Sequence, residues 1–228
     1  MTQPAPKNQS SPSPEIQTIR SKRAWAWLIT TVIIGIITDL VSKSLAFAKV
    51  ADLPLHISRD QVLHEQDLGH LIPYHDPVIA IPKLLEFTLV LNPGAVFGIG
   101  AGQRWFFVIF TLIAMTVALV LFAKWTKPRD WFAHAGFGLI IAGGIGNLYD
   151  RLVFGCVRDF IHPLPGMKLP FGIKWPGGSG SDEIWPYVSN VADLYLIIGI
   201  VLLLIYTWKQ PHPSEPTANK SDSVPPDG

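Results

Sequence analysis

Two aspartates, Asp159 and Asp193, have the residue type and the surroundings of a paired acid and base. Each lies in a polar stretch that adjoins a long apolar run, where charge is costly and is usually retained because it is paired or functional. Two carboxyl groups in one poorly solvated pocket cannot both ionise easily, so one keeps a proton as a general acid and the other serves as a general base. Such a pair could activate a water for attack on a carbonyl carbon without a metal or a covalent intermediate.

Other polar residues occupy the same two stretches. Asn147, Asp150 and Arg151 follow an i, i+3, i+4 pattern after one apolar run, and Asn190 precedes Asp193 by three residues at the start of the next. On helices, each set would lie on roughly one face. The two faces converge if the two helices are neighbours, which their direct connection favours.

These residues could also have purely structural roles. Asp193 could favour the dipole of its helix from the first turn, and Asp150 with Arg151 could cap and tether a helix end, which is the account we favour for Asp150. For Asp159 and Asp193 the residues alone leave the choice open. A proton or solute pathway is disfavoured, because the polar residues cluster at one face of the predicted membrane rather than crossing it.

The composition indicates a membrane protein. Hydrophobic residues make up 49% of the 228 residues and charged residues only 15%, whereas soluble domains carry about a quarter charged residues. The formal net charge is +1 and no basic stripe is interleaved with aromatic residues, so we expect no nucleic-acid partner. The single cysteine, Cys156, excludes an intrachain disulfide and is interpreted as a packing residue. The histidines fit no ligand pattern, and we expect neither a metal nor a cofactor.

Four apolar runs are long enough to cross a membrane as helices. The predicted spans are residues 24–48, 105–123, 133–150 and 188–208, within one domain of residues 24–208. Between them we expect extracytoplasmic insertions at residues 49–104 and 152–187. The Pro- and Ser-rich ends, residues 1–23 and 209–228, are predicted to be disordered cytoplasmic tails.

Basic residues flank the spans on one side of the predicted membrane. They are Arg20, Lys22 and Arg23 before the first span, Lys124, Lys127 and Arg129 between the second and third, and Lys209 after the fourth. The positive-inside rule makes this side cytoplasmic. Asp159 and Asp193 would then meet at the extracytoplasmic face.

Two shorter patterns add detail. Residues 84–91 are rich in strand-forming residues and are bounded by Pro82 and Pro93, which predicts a strand in the first insertion. In the first span, Asp39 and Lys43 are four residues apart and can pair on one helix face. We interpret them as an interfacial salt bridge that anchors the helix end.

Five blocks of the sequence resemble, in order, the motifs of the lipoprotein signal peptidase family, also called signal peptidase II. They read TDLVSK at 38–43, NPGAVFG at 92–98, GGIGNLYDR at 143–151, VRDFI at 157–161 and NVAD at 190–193. Five blocks in this order over four spans make the match specific. With the predicted spans, the resemblance implies an all-α membrane protein with four transmembrane helices, a small extracytoplasmic β-rich subdomain and a lid region.

The same resemblance implies an aspartic endopeptidase of the bacterial inner membrane, a multi-pass protein that removes the signal peptide from diacylglyceryl-modified prolipoproteins by cleaving before the lipidated cysteine. It assigns the catalytic pair to Asp159 and Asp193. The implied substrate-binding and supporting residues are Asn92, Gly94, Asn147, Arg151 and Asn190, and the implied structural polar residues are Asp39, Lys43 and Asp150. The expected partners are prolipoproteins, membrane lipid and globomycin-type inhibitors, bound by a monomer.

Two segments, residues 49–84 and 163–187, are longer than we expect for the family. The family folds this outer region into a small sheet and a lid helix, so we expect activity with a lid of different shape. Two alternatives to the peptidase stay open. A four-helix membrane carrier would place ionisable residues at mid-span, and a non-catalytic protein that binds lipoprotein precursors would tolerate asparagine at both aspartates.

Overall fold

The structure, a computed structural model, describes residues 18–94, 104–175 and 180–210. Most of both predicted tails lies outside the described residues, and so does the part of the NPGAVFG block from residue 95 onward.

Four helices in the described part of the chain are long and apolar enough to cross a membrane. They are α1 (Lys22–Lys49), α3 (Arg104–Trp125), α4 (Trp131–Val153) and α5 (Val191–Trp208). Between the first two lie the short helix α2 (Arg59–His64) and a 3₁₀ turn (Leu68–Leu71). Apolar side chains such as Phe110 and Leu204 are 60% and 64% exposed, as expected where lipid replaces water. The predicted four-helix architecture is confirmed.

Helix α4 packs against each of the other three spanning helices. Small residues permit this, because lipid gives helices no hydrophobic drive to associate and close backbone approach must supply the contact. A Cβ added at Gly143 would collide with the backbone oxygen of Ala192 on α5, and one at Gly138 would lie 2.7 Å from the Cβ of Thr31 on α1. The glycines of α4 therefore set the spacing of the bundle.

A small antiparallel sheet adjoins the helices. Its strands are β1 (Val78–Ile81), β2 (Leu85–Asn92) and β3 (Val157–Pro163), in the order β1-β2-β3. The register of β2 and β3 sets Val90 opposite Asp159. Leu91 and Phe160 are buried in the same apolar cluster as Phe47 of α1, which fixes the sheet to the first helix. The β-rich subdomain expected from the sequence is thus present.

The chain between β3 and α5 forms an excursion that returns beside β3. The excursion includes a 3₁₀ turn at Pro170–Gly172. The Leu169 N–H, just before this turn, donates to the Asp182 carbonyl at 2.7 Å. Nearer to α5, Ser189 and Ile161 exchange two backbone hydrogen bonds of 2.8 Å. The last residues before α5 are therefore held against the strand that carries Asp159.

Candidate active site

Asp159 lies on β3 with its side chain buried where the sheet meets the helices, and the residue is only 2% exposed. Its Oδ1 accepts a hydrogen bond of 2.6 Å from Asn190 Nδ2, and its Oδ2 accepts one of 3.0 Å from Asn92 Nδ2 on the neighbouring strand. Asn92 is itself oriented, because its Oδ1 accepts from the Gly94 N–H at 3.0 Å. Two amide donors, rather than a cation, therefore fix the carboxyl group.

The first turn of α5 holds the second aspartate. Asn190 caps the helix: its Oδ1 accepts from the Asp193 N–H, and Asp193 Oδ2 accepts from the Asn190 N–H, each at 3.1 Å. This reciprocal box satisfies N–H groups that a helix start leaves unpaired. The other oxygen of Asp193 accepts from Asn147 Nδ2 of α4 at 2.8 Å. Helix capping thus fixes the position of this carboxyl group.

Asn147 joins the two aspartates into one network. Its Oδ1 accepts from Asn190 Nδ2 at 3.0 Å and from Lys43 Nζ at 3.1 Å, while its Nδ2 donates to Asp193. The same Asn190 amide donates to Asp159. The orientation of the Asn147 amide follows from its partners, since its oxygen must face the two donors.

The environment of Asp159 favours its neutral form. Burial, and then the charge of Asp193, raise the pKa of Asp159 to about 7, although the hydrogen bonds from Asn92 and Asn190 act in the opposite direction. A neutral carboxyl beside a carboxylate is the charge state that a general acid and base require.

A second group of buried charges lies between α1, α4 and β3. Lys43 Nζ is 2.9 Å from Asp39 Oδ2 and 3.4 Å from Asp150 Oδ2, and all three side chains are fully buried. Asp150 also accepts from Arg158, at 2.8 Å from the guanidinium and 3.0 Å from the backbone N–H. Asp39 Oδ1 accepts from the Ala192 N–H of α5 at 2.9 Å. The Asp39–Lys43 pair expected from the sequence is present. It is buried inside the protein, however, and does not lie at the membrane–water interface.

Arg151 belongs to the aspartate side of α4. One of its terminal nitrogens, Nη2, donates to the Gly94 carbonyl at 3.0 Å, and the guanidinium lies 5.0 Å from the ring centroid of Phe107. Its Nε is buried without a hydrogen-bond partner among the described residues. A guanidinium held in this way can donate to a carbonyl or carboxylate of a bound molecule.

A cavity of about 770 Å³ brings these groups together, and both aspartates line it with Asn92, Asn147 and Arg151. The rest of its lining is largely apolar and comes from α3, α5 and the residues before α5. These residues include Phe106, Phe107, Phe110, Trp185, Tyr187, Val188, Leu196 and Ile197. A cavity of this volume, apolar with a few convergent polar groups, is typical of a ligand site.

Cys156 takes no part in this arrangement. It is fully buried, and burial raises the pKa of its thiol to about 12, so the nucleophilic thiolate does not form at neutral pH. Among the described residues, no group of three or more His, Cys, Asp or Glu side chains could hold a metal ion.

The chain matches the family model for signal peptidase (SPase) II over residues 31–209. It belongs to the signal peptidase II family. It is similar to the lipoprotein signal peptidase of Desulfitobacterium hafniense (strain DSM 10664 / DCB-2), with 35% identity over 147 residues that cover 64% of this chain and 83% of that protein. The lipoprotein signal peptidase of Chlorobium phaeobacteroides (strain BS1) is 34% identical over 152 residues, 67% of this chain and 90% of that protein.

A solved structure is also similar to this signal peptidase II family member. It is a bacterial membrane enzyme determined by the in meso method at 2.3 Å resolution. The two match with a TM-score of 0.56 and 26% sequence identity, covering 87% of this chain and 94% of that one.

Most of the predicted site residues, which belong to the signal peptidase II motifs, lie around one cavity. Both aspartates line it with Asn92, Gly94, Asn147 and Arg151, and Asn190 bonds to Asp159 from beside it. Asp150, interpreted from the sequence as a structural residue, is fully buried and bonds to Arg158. The chemical roles of these residues stay predictions.

Neither the role of Arg158 nor the aromatic lining of the cavity was predicted from the sequence. Arg158 precedes Asp159 on a strand, and because successive side chains alternate, it faces away from the cavity toward Asp150. Trp185 and Tyr187 line the cavity from within an insertion. Their signal in the sequence is the pair of aromatic residues three and five positions before Asn190.

Proposed function

We propose that this membrane protein is an aspartic endopeptidase that removes the signal peptide from diacylglyceryl-modified prolipoproteins, cleaving before the lipidated cysteine. One observation carries the proposal: Asp159 and Asp193 belong to a single amide network and line a single cavity. Membership of the signal peptidase II family, and the name lipoprotein signal peptidase that the relatives bear, support the substrate class.

In the proposed mechanism, a water between the two carboxyl groups loses a proton to Asp193 as it attacks the carbonyl carbon of the scissile bond. Asp159, neutral at the start, donates its proton to the carbonyl oxygen. As the intermediate collapses, the proton on Asp193 passes to the leaving nitrogen and Asp159 recovers a proton from the new hydroxyl. Both carboxyl groups return to their first state.

The remaining cavity residues suit a lipid-bearing peptide. Phe106 and Phe110 of α3 and Ile197 of α5 provide an apolar lining for acyl chains, whose burial stabilises by about 0.8 kcal/mol per methylene. Arg151 and Asn147 are the proposed polar contacts to the peptide near the scissile bond. Membrane lipid and globomycin-type inhibitors are proposed to occupy the same cavity of a monomer.

We place the protein in the inner membrane with both termini in the cytoplasm and the aspartates at the extracytoplasmic face. The end of α4 and the start of α5 lie at the sheet, so Asp193 is at that end of the bundle. Lys127 and Arg129, before α4, and Lys209, after α5, lie at the other end. The distribution of basic residues supports this orientation.

The proposed function predicts both a substrate requirement and a cleavage position. The purified protein in detergent or lipid should cleave a diacylglyceryl-modified prolipoprotein and leave the same precursor without the modification largely intact. Mass spectrometry should find the released peptide ending immediately before the lipidated cysteine. Cleavage at another bond, or equal cleavage of both precursors, would contradict the proposal.

A further inference from the structure

The residues just before α5, residues 184–189, form part of the cavity although they lie outside the five motif blocks. We name them the return segment. Trp185 and Tyr187 of this segment line the cavity together with both aspartates. Its end is fixed by the two backbone hydrogen bonds between Ser189 and Ile161 of β3. The excursion can therefore shape the cavity while the motifs stay in place.

The start of the return segment is held by His162 of β3. His162 Nδ1 lies 2.8 Å from Glu86 Oε1 on β2, and His162 Nε2 lies 3.3 Å from the Trp185 carbonyl oxygen. Glu183 Oε2 is 3.7 Å from the same Nε2. The two ring nitrogens of His162 thus face the sheet on one side and the return segment on the other. The side chains of His162 and Glu86 are mostly buried, which favours a lasting contact.

Resting on the function proposed above, we infer that Trp185 and Tyr187 are specificity-determining residues that contact the side chain following the lipidated cysteine, and that His162 is the positioning residue that holds them in the cavity. The contact stabilises precursors with a large apolar residue at that position. Precursors with glycine there gain nothing from it.

The location of Trp185 and Tyr187 indicates which part of the substrate they contact. Phe106, Phe107 and Phe110 lie on the spanning helix α3, whereas Trp185 and Tyr187 lie beside β3, outside the spanning helices. A signal peptide and acyl chains occupy the membrane, so the chain beyond the lipidated cysteine is the part that passes the sheet. Aromatic side chains favour apolar and aromatic partners through area and ring geometry.

The test compares two lipid-modified precursors that differ only in having Phe or Gly after the cysteine. For wild type, KM should be lower for the Phe precursor. Trp185→Ala should raise the ratio of KM for the Phe precursor to KM for the Gly precursor about tenfold, with a much smaller change in kcat. Cleavage of the Gly precursor by the same preparation reports that the variant is folded. If Trp185→Ala does not fold, Tyr187→Ala carries the same expectation.

His162→Ala tests the positioning role. It should raise KM for the Phe precursor at least as much as Trp185→Ala does, and the double variant should be no worse than His162→Ala alone, because Trp185 acts through the contact that His162 holds. Phe171→Ala is the control, because Phe171 is an aromatic residue of the same excursion whose side chain is 98% exposed. This variant should behave as wild type.

An unchanged KM ratio between the two precursors in both Trp185→Ala and Tyr187→Ala overturns the inference while the peptidase function stands. Additive effects of His162→Ala and Trp185→Ala overturn the positioning role of His162. A wild type that cleaves neither precursor overturns the proposed function, and this inference with it.

Discussion

Asn190 serves two purposes with one side chain, since its oxygen caps α5 and its nitrogen donates to Asp159. The capping box also engages Asp193, which stands at the third residue of the helix. The start of a helix and the geometry of a carboxyl pair are thus fixed by the same two residues, Asn190 and Asp193. At the scale of residues, the candidate site is an extension of local capping chemistry.

The raised pKa of Asp159 predicts how cleavage depends on pH. Burial and the charge of Asp193 raise this pKa to about 7, so Asp159 carries its proton below that pH and loses it above. The acid of the pair is then absent, and kcat/KM should fall as pH rises through about 7, because kcat/KM reports groups of the free enzyme. Initial rates at substrate concentrations well below KM, from pH 5 to pH 9, measure this. A kcat/KM that climbs steadily to pH 9 would be inconsistent with a neutral Asp159 as the acid.

Lys43→Met should destabilise the protein strongly. The substitution keeps the length of the side chain but leaves Asp39 and Asp150 buried without their shared cation. Breaking a buried ion pair typically costs about 3–5 kcal/mol. Thermal unfolding in detergent should show a markedly lower midpoint than for Lys49→Met, which removes an exposed lysine of the same helix. Equal midpoints would show that the buried charges are not paired as described.

The helices, more than the strands, could be foreseen from the sequence. Long apolar runs determine spanning helices by themselves, because a backbone in lipid must satisfy its hydrogen bonds within the segment. The strand predicted at residues 84–91 is also present, as β2. The partner of each polar group could not be foreseen, since Asp150 bonds to Arg158 and Arg151 bonds to the Gly94 carbonyl, and only tertiary packing decides this.

The close contact of α4 and α5 predicts a contrast between two adjacent glycines. In Gly143→Ala the new methyl group would meet the backbone oxygen of Ala192, which cannot move without shifting the start of α5. In Gly144→Ala it would lie 3.3 Å from the flexible side chain of Met115. Gly143→Ala should therefore cost about 1–3 kcal/mol of stability and Gly144→Ala much less. Thermal midpoints of the two variants test this, and the reverse order would contradict the packing described.

At the scale of the whole molecule, the sheet, the return segment and the two aspartates lie at one end of the bundle, and the loop between α3 and α4 lies at the other. Five ordered sequence blocks were sufficient to indicate the family, because five motifs in the same order over four spans make a specific match. The cavity wall formed by Trp185 and Tyr187 could not be foreseen, since it depends on how an excursion of this chain folds back on β3.

The proposed orientation can be tested with single cysteines, since Cys156 is buried and its raised pKa keeps the thiol unreactive. In intact cells or right-side-out spheroplasts, a membrane-impermeant maleimide should label Leu53→Cys, where the side chain is 73% exposed, and should leave Lys209→Cys unlabelled until the membrane is opened. Wild type provides the blank. Labelling in the opposite order would reverse the proposed topology.

If Asp159 and Asp193 together carry out the cleavage, both Asp159→Asn and Asp193→Asn should fail to cleave a diacylglyceryl-modified prolipoprotein that wild type cleaves. Asp60→Asn, which changes an exposed aspartate of α2, serves as the matched control. With all variants equally folded, each active-site substitution should lower the rate at least about a hundredfold while the control cleaves normally. Cleavage at the wild-type rate by either Asp159→Asn or Asp193→Asn would show that the two carboxyl groups are not the catalytic pair.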